Sequence, residues 1–157
     1  MHGVNPRTIK GQEWWDTERK AAAKKYQYHC WACGVHQVHA KFHKWLEGHE
    51  RYAVDYEHGR LTYLGCCSLC HSCHNFIHLG RLTAMYEQGQ VAEAKYRAII
   101  RHGCTLLKTY KLSSPAEYER SIPWADWRLE LEGELYPPKF RTEQAWRRYY
   151  GYAEAMS

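Results

Sequence analysis

Residues that favour β-strands are concentrated in two neighbouring stretches near the middle of the chain. The first covers residues 44–56 and the second residues 61–69, and the polar segment Glu57-His58-Gly59-Arg60 separates them. Aromatic and β-branched side chains pack well on a pleated surface, whereas a short polar run with a glycine is typical of a turn. The pattern therefore predicts two strands joined by this turn.

Several other stretches have the composition or the end signals of helices. Residues 13–28 combine strong helix formers with one apolar side, which is formed by Trp14, Trp15, Ala22 and Tyr26. Residues 82–88 and 91–101 are predicted helices that are interrupted at Gly89, and Ser114-Pro115 has the form of a further helix start. Beyond them, residues 127–135 predict a short strand or hairpin.

Two Cys-x2-Cys pairs, Cys30/Cys33 and Cys70/Cys73, have the spacing of zinc knuckles. Each knuckle offers two thiolates, and two knuckles together complete a tetrahedral structural zinc site. Cys67 and Cys70 have the same spacing, but the later pair leads directly into a helical segment and leaves Cys67 in the preceding strand. A disulfide framework would require an oxidising compartment, and the N-terminal segment has no apolar export signal. We therefore predict a zinc site made of four cysteines.

A group of histidines lies close to the second cysteine pair. His74 and His78 are four residues apart, so that on a helix they share one face and can bind one metal ion. His49, upstream, is the candidate third ligand. Three other histidines, at positions 36, 39 and 43, are irregularly spaced, and we assign them to the surface or to contact with nucleic acid rather than to a metal site.

The cysteine pairs together with LEGHE at 46–50 and LCHSCHNFIH at 69–78 resemble the zinc-knuckle branch of the HNH endonucleases, over residues 14–82. The resemblance implies a ββα-metal core in which His49, His74 and His78 bind one catalytic divalent ion, Mg²⁺, Mn²⁺, Ni²⁺ or Zn²⁺. Glu50 takes the position at which the family has its general-base histidine.

Two features depart from the family pattern. The base position is occupied by Glu50, and the asparagine expected near Gly65 is missing, since the nearby Asn75 lies inside the predicted helix. In an alternative alignment with the family pattern, His49 is the base, and Glu50 and Asp55 bind the metal. As turn residues, Asp55 and His58 need no role in the site.

Composition and charge agree with a globular protein that binds a polyanion. The chain has 157 residues, of which 45% are hydrophobic, and a net charge of +5. This modest basic excess suits DNA, with RNA as a second candidate, although it is also common in other proteins. Near the C-terminus, Arg147 and Arg148 are interleaved with aromatic residues, a pattern that fits either nucleic-acid binding or a docked helix. We expect no membrane span and a cytoplasmic location, that of the host if a phage encodes the chain.

The sequence as a whole predicts an α+β protein with a zinc-stapled ββα-metal core and flanking helices. We expect a loose arm at 1–12, the core at 13–82 and a helical extension at 83–157 that packs on the core. The predicted function is metal-dependent hydrolysis of DNA phosphodiester bonds. The alternative is an inactive protein of the same fold that binds nucleic acid or a protein partner, and the oligomeric state stays open.

Overall fold

The computed structural model describes residues 3–112 and 122–150, and the fold of these residues is α+β, as predicted. Six α-helices and a four-stranded mixed sheet are present in this part of the chain. The helices are α1 (Pro6–Lys10), α2 (Gln12–Lys25), α3 (His71–Ile77), α4 (Leu79–Glu87), α5 (Glu93–Thr109) and α6 (Glu143–Tyr149). The strands are β1 (Glu47–Asp55), β2 (Arg60–Leu69), β3 (Arg128–Leu131) and β4 (Glu134–Tyr136).

Strands β1 and β2 form the predicted pair, and the turn between them is held by Asp55. The Asp55 carboxylate accepts hydrogen bonds from the backbone N–H groups of Glu57 and His58, each at 3.0 Å, and contacts the His58 ring at 2.8 Å. Backbone and side-chain bonds from His58 hold the pKa of the Asp55 carboxyl below its usual range. These contacts give Asp55 and His58 a structural role at the turn.

The predicted hairpin near the C-terminal end is also confirmed. Strands β3 and β4 pair antiparallel, with Leu131 opposite Glu134. Strand β3 adds to β2 in the parallel direction, with Arg60 opposite Arg128, so that the order across the sheet is β1-β2-β3-β4. Leu129 and Leu131 of β3 are buried, which gives this short strand its apolar face.

The segment 1–12, predicted as a loose arm, includes helix α1. Asn5 caps α1 through a reciprocal pair of hydrogen bonds with Thr8, and Pro6 occupies the first turn, where a missing N–H costs nothing. Pro6 is also buried. The signals are present in the sequence as Asn-Pro followed by threonine. Helix α2 lies in the stretch predicted as helical, residues 13–28, but it ends at Lys25, before Tyr26, and its Trp15 and Ala22 are buried.

Helices α3, α4 and α5 pack together around Leu82, Val91 and Ile99, with the Phe76 ring against this cluster. The break between the two predicted helices is confirmed, since Gly89 has a φ of +71°, in the left-handed region that glycine adopts readily. Helix α5 continues past residue 101, where we expected it to end, and reaches Thr109. The helix start predicted at Ser114-Pro115 lies outside the described residues.

The chain divides into two compact units built from interleaved segments. One consists of the described parts of Met1–Glu18, Glu50–Gly65 and Tyr118–Ser157, and the other of the described parts of Arg19–His49 and Cys66–Glu117. The predicted boundaries, a core at 13–82 and an extension at 83–157, stay predictions. No helix in the described residues has the length and apolar character needed to cross a membrane.

We predict that Gly103→Ala destabilises the fold. A methyl group at this buried position of α5 would overlap the Phe76 ring, and overpacking of this kind costs about 1–3 kcal/mol. Gly80→Ala is the matched control, because Gly80 is also helical and a Cβ there meets open space. Urea unfolding of the zinc-loaded protein should show a lower midpoint for Gly103→Ala alone. Equal midpoints for the two variants would contradict the packing described here.

Candidate metal centre

The four predicted zinc ligands, Cys30, Cys33, Cys70 and Cys73, converge into a four-cysteine group, and their sulfur atoms all lie within 4.8 Å of one another. The Sγ atoms of Cys33 and Cys70 are 3.7 Å apart. Ligands at roughly 2.3 Å from a tetrahedral zinc ion are separated by about 3.8 Å, whereas a disulfide would bring sulfurs to about 2 Å. The spacing therefore fits a site that could hold zinc.

Local backbone contacts explain why the two knuckles meet. The first is closed by the Cys30 N–H, which donates to the Val35 carbonyl at 2.9 Å, and Gly34 takes a φ of +72° in this turn. The Trp31 N–H then donates to the Ser68 carbonyl at 2.8 Å, which ties this loop to the end of β2. Cys67 lies in β2 and is buried in the core, which supports the choice of the later pair.

The mutual repulsion of four closely spaced thiolates favours a bound cation. Hydrogen bonds from Cys33 lower the pKa of Cys30, whereas the Cys30 sulfur raises the pKa values of Cys70 and Cys73. Once the first thiol ionises, its negative charge opposes ionisation of the others, and burial adds to this. Four thiolates are compatible only with a positive ion among them. His102, which no motif in the sequence singles out, contributes a ring nitrogen 3.2 Å from the Cys73 sulfur.

The three predicted histidines form a second group, the histidine cluster. His49 lies near the start of β1, His74 lies in α3 and His78 follows its last residue, and their ligand atoms lie within 4.8 Å of one another. The ring centroids of His74 and His78 are 4.8 Å apart, as the four-residue spacing predicts, and the His49 ring is 4.9 Å from that of His78.

These imidazoles are suited to metal binding by their protonation state. Burial lowers the pKa of His49 to about 4, and burial together with the nearby His74 does the same for His78. Both rings are therefore neutral at pH 7 and present a lone pair, the form that binds metal. The Nδ1 atom of His49 is buried and has no hydrogen-bond partner in the described part of the chain. A buried nitrogen without a partner is costly, and a metal ion would satisfy it.

Glu47 connects this cluster to its surroundings, although the sequence pattern assigns it no role. Its Oε2 atom contacts Nδ1 of His74, so that the His74 ring donates this proton and keeps Nε2 free as a ligand atom. Burial opposes ionisation of Glu47, but hydrogen bonds from His74 and His71 outweigh it and hold the pKa of the carboxyl below its ordinary range. Glu47 is therefore an anion that orients a candidate metal ligand.

Strand alternation separates Glu50 from the histidine cluster. Glu47 and His49 leave β1 on one face, where they meet the histidines of α3. Successive side chains of a strand point to opposite faces, so that Glu50 leaves on the other face with Tyr52. Asp55 stays in its turn. The assignment of Glu50 as base and the alternative alignment both stay predictions.

Two other predicted features have local explanations in the structure. Asn75 is buried in α3, where its amide donates to the backbone carbonyl of His71 at 2.9 Å. Arg147 in α6 pairs with Glu143 of the same helix at 2.9 Å, while Arg148 is exposed. Arg148 is therefore the more accessible of the two arginines proposed to contact nucleic acid.

Comparison with known proteins finds no match, since no family model, curated protein or solved structure matches this chain. The resemblance to HNH endonucleases stays a prediction from the sequence.

We predict that Cys30→Ser removes one zinc ion per chain and abolishes cooperative unfolding. Three remaining cysteines cannot complete the tetrahedron, and the binding energy of a structural zinc is part of the folding energy. Metal analysis and thermal melting of the purified protein check both effects. Cys104→Ser is the control, because Cys104 is exposed and lies outside the four-cysteine group. Zinc content and melting that match the control would contradict the structural site.

Proposed function

We propose that the chain is a metal-dependent phosphodiesterase of the HNH type that cuts DNA. The observation that carries this proposal is the convergence of His49, His74 and His78 on one face of a β1–β2–α3 unit. Three imidazole ligands leave coordination positions open on a divalent ion, which a closed site of four cysteines does not. The first type of site supports catalysis and the second supports folding.

The donor set fits a divalent ion, and the chain's own residues fix its geometry. When bound, such an ion polarises the scissile phosphate and neutralises charge on the departing 3′ oxygen. His49 and His78 supply lone pairs at neutral pH because their pKa values are lowered to about 4. Glu47 holds His74 in the tautomer whose Nε2 is free. Imidazole ligands favour Zn²⁺, Ni²⁺ and other transition metals over Mg²⁺.

Glu50 and Glu47 are the candidates for the general base. Glu50 occupies the position implied by the resemblance, but alternation along β1 puts it on the strand face opposite to His49. Glu47 lies on the correct face, yet the low pKa of its carboxyl makes it a weak base. We keep Glu50 as the candidate base and test it directly.

A second candidate function is binding without cleavage. Two features favour it: the base position lacks a histidine, and alternation along β1 puts Glu50 and His49 on opposite faces of the strand. In this case the metal ions stabilise the fold, and the net charge of +5 attracts the protein to a nucleic acid. The two candidates differ in one measurable property, which is cleavage of a phosphodiester bond.

We predict that the protein nicks or linearises plasmid DNA in the presence of a divalent ion, and that His78→Ala abolishes this activity with the fold retained. The variant removes one of three ligands but leaves the four-cysteine group intact. The assay compares Mg²⁺, Mn²⁺, Ni²⁺ and Zn²⁺ across pH, with circular dichroism as the measure of folding. His29→Ala is the control, because His29 is exposed and outside the candidate metal groups.

Glu50 variants then separate the two candidate functions in the same assay. If Glu50 is the base, Glu50→Gln lowers the rate severely, since general-base catalysis contributes about 10²- to 10⁴-fold. A gain of cleavage in Glu50→His would mark the natural protein as weakened at this position. Unchanged cleavage in both variants would assign the base elsewhere. Absence of cleavage with every ion and in Glu50→His would overturn the nuclease proposal in favour of binding.

We predict that affinity for duplex DNA falls steeply with salt, and that replacing Arg147 and Arg148 with alanine makes the dependence shallower. Each lost phosphate contact reduces the slope of log K against log salt by about 0.9. Fluorescence anisotropy from low to moderate salt measures this slope. The control is Arg97→Ala, because Arg97 pairs with Glu93 four residues earlier, as Arg147 does with Glu143. Affinity that is independent of salt would indicate a protein partner instead.

A further inference from the structure

A third group of potential ligands lies beside the histidine cluster, formed by His43, Glu47 and His71. The Oε1 atom of Glu47 is 2.7 Å from Nδ1 of His71 and 2.8 Å from Nε2 of His43. The two ring nitrogens are themselves 3.1 Å apart. Three atoms from three side chains thus form a small triangle. We expected His43 to lie at the surface or to contact nucleic acid, and the structure instead places it in this group. His71, to which the sequence pattern assigns no role, is a second member of the group.

The tautomer of His43 sets two electron-rich atoms against each other in this triangle. Nδ1 of His43 lies 3.0 Å from the Trp45 carbonyl, which can only accept, so that Nδ1 is the nitrogen that carries the proton in the neutral ring. In this tautomer Nε2 presents its lone pair to Glu47 Oε1 at 2.8 Å, and two acceptors in contact repel each other.

A cation at the centre resolves the conflict, because all three atoms then act as lone-pair donors. We propose that His43, Glu47 and His71 bind a divalent metal ion, with Zn²⁺ as the best fit. Two imidazoles and one carboxylate form a donor set that zinc accepts with one position left open. Tetrahedral nitrogen and oxygen ligands of zinc are about 3.3 Å apart, so that the edges of 2.7, 2.8 and 3.1 Å need to lengthen by roughly 0.2 to 0.6 Å.

Access and support are also appropriate for a metal site. The side chains of His43 and His71 are 12% and 17% exposed, which leaves a path for an ion without making the site a flat surface. The His43 ring is fixed by stacking on Trp45, with the ring centroids 3.8 Å apart. The Asn75 amide nitrogen lies 3.3 Å from Nδ1 of His71 and donates to the His71 carbonyl at 2.9 Å, which gives the His71 ring a polar neighbour on α3.

Glu47 joins this third site to the histidine cluster. Its Oε1 atom faces His43 and His71, while Oε2 receives the proton of His74, a member of the cluster. An ion in the third site therefore withdraws charge from the carboxylate that orients His74. The two sites are coupled through one side chain, and this holds whether or not the protein cuts nucleic acid.

Zinc stoichiometry of the full chain tests the proposal. The protein is treated with a mild chelator, equilibrated with excess Zn²⁺, separated from free ion and analysed for metal. We expect three zinc ions per chain, one for each candidate group, and two in His43→Ala and in His71→Gln. His39→Ala, from the same segment as His43, should keep all three. The same number of ions in the His43→Ala and His39→Ala variants would overturn the third site, whatever the total in the unsubstituted chain.

A Glu47→Gln variant tests the coupling between the third site and the histidine cluster. A His43→Gln variant checks that a loss of zinc does not come from misfolding. Glu47→Gln should lose the third ion and also bind zinc about 10- to 100-fold more weakly in the histidine cluster, because an outer carboxylate partner of a ligating histidine has an effect of this size. Zinc titration by calorimetry measures the affinity, with His43→Gln compared as a variant that keeps a polar side chain. Loss of only one ion in His43→Gln, with the others unchanged, supports the site. Loss of none contradicts it.

Discussion

The convergence of two Cys-x2-Cys pairs is the constraint on which the candidate site depends. Cys70 follows β2 and directly precedes α3, and Cys73 lies within the first turn of that helix. Holding both sulfurs against the first knuckle fixes where α3 starts and how it is rotated. Because the positions of His71, His74 and His78 follow from that rotation, a zinc ion in the four-cysteine group would also orient three candidate ligands of other ions. Folding and site geometry thus have one common cause.

The structure also suggests how charge is distributed among the metal groups. The four cysteines offer anionic ligands, whereas His49 and His78 are neutral at pH 7 because burial lowers their pKa values. Glu47 is the ionised group that contacts both His71 and His74. A divalent ion bound by neutral imidazoles retains more of its positive charge than one bound by four thiolates, which favours attraction of a phosphate.

The parts of the fold that sequence predicts are those set by local spacing. The β1–β2 turn, the helical face shared by His74 and His78 and the four-cysteine group all follow from residues that are close in the chain or have diagnostic spacing. The third group could not be found in this way. Glu47 and His71 are 24 residues apart, and only the packing of β1 against α3 brings them together. The direction of Glu50 likewise required the bounds of β1.

Anomalous X-ray scattering at the zinc edge, recorded from crystals of the zinc-loaded protein, tests the central claim most directly. We predict one peak inside the four-cysteine group, about 2.3 Å from each sulfur, and a separate peak about 2.0–2.1 Å from a ring nitrogen of each of His49, His74 and His78. A map with density in the four-cysteine group and none at these three histidines would contradict a catalytic metal site. The chain would then be a zinc-stabilised protein whose histidine cluster serves packing alone.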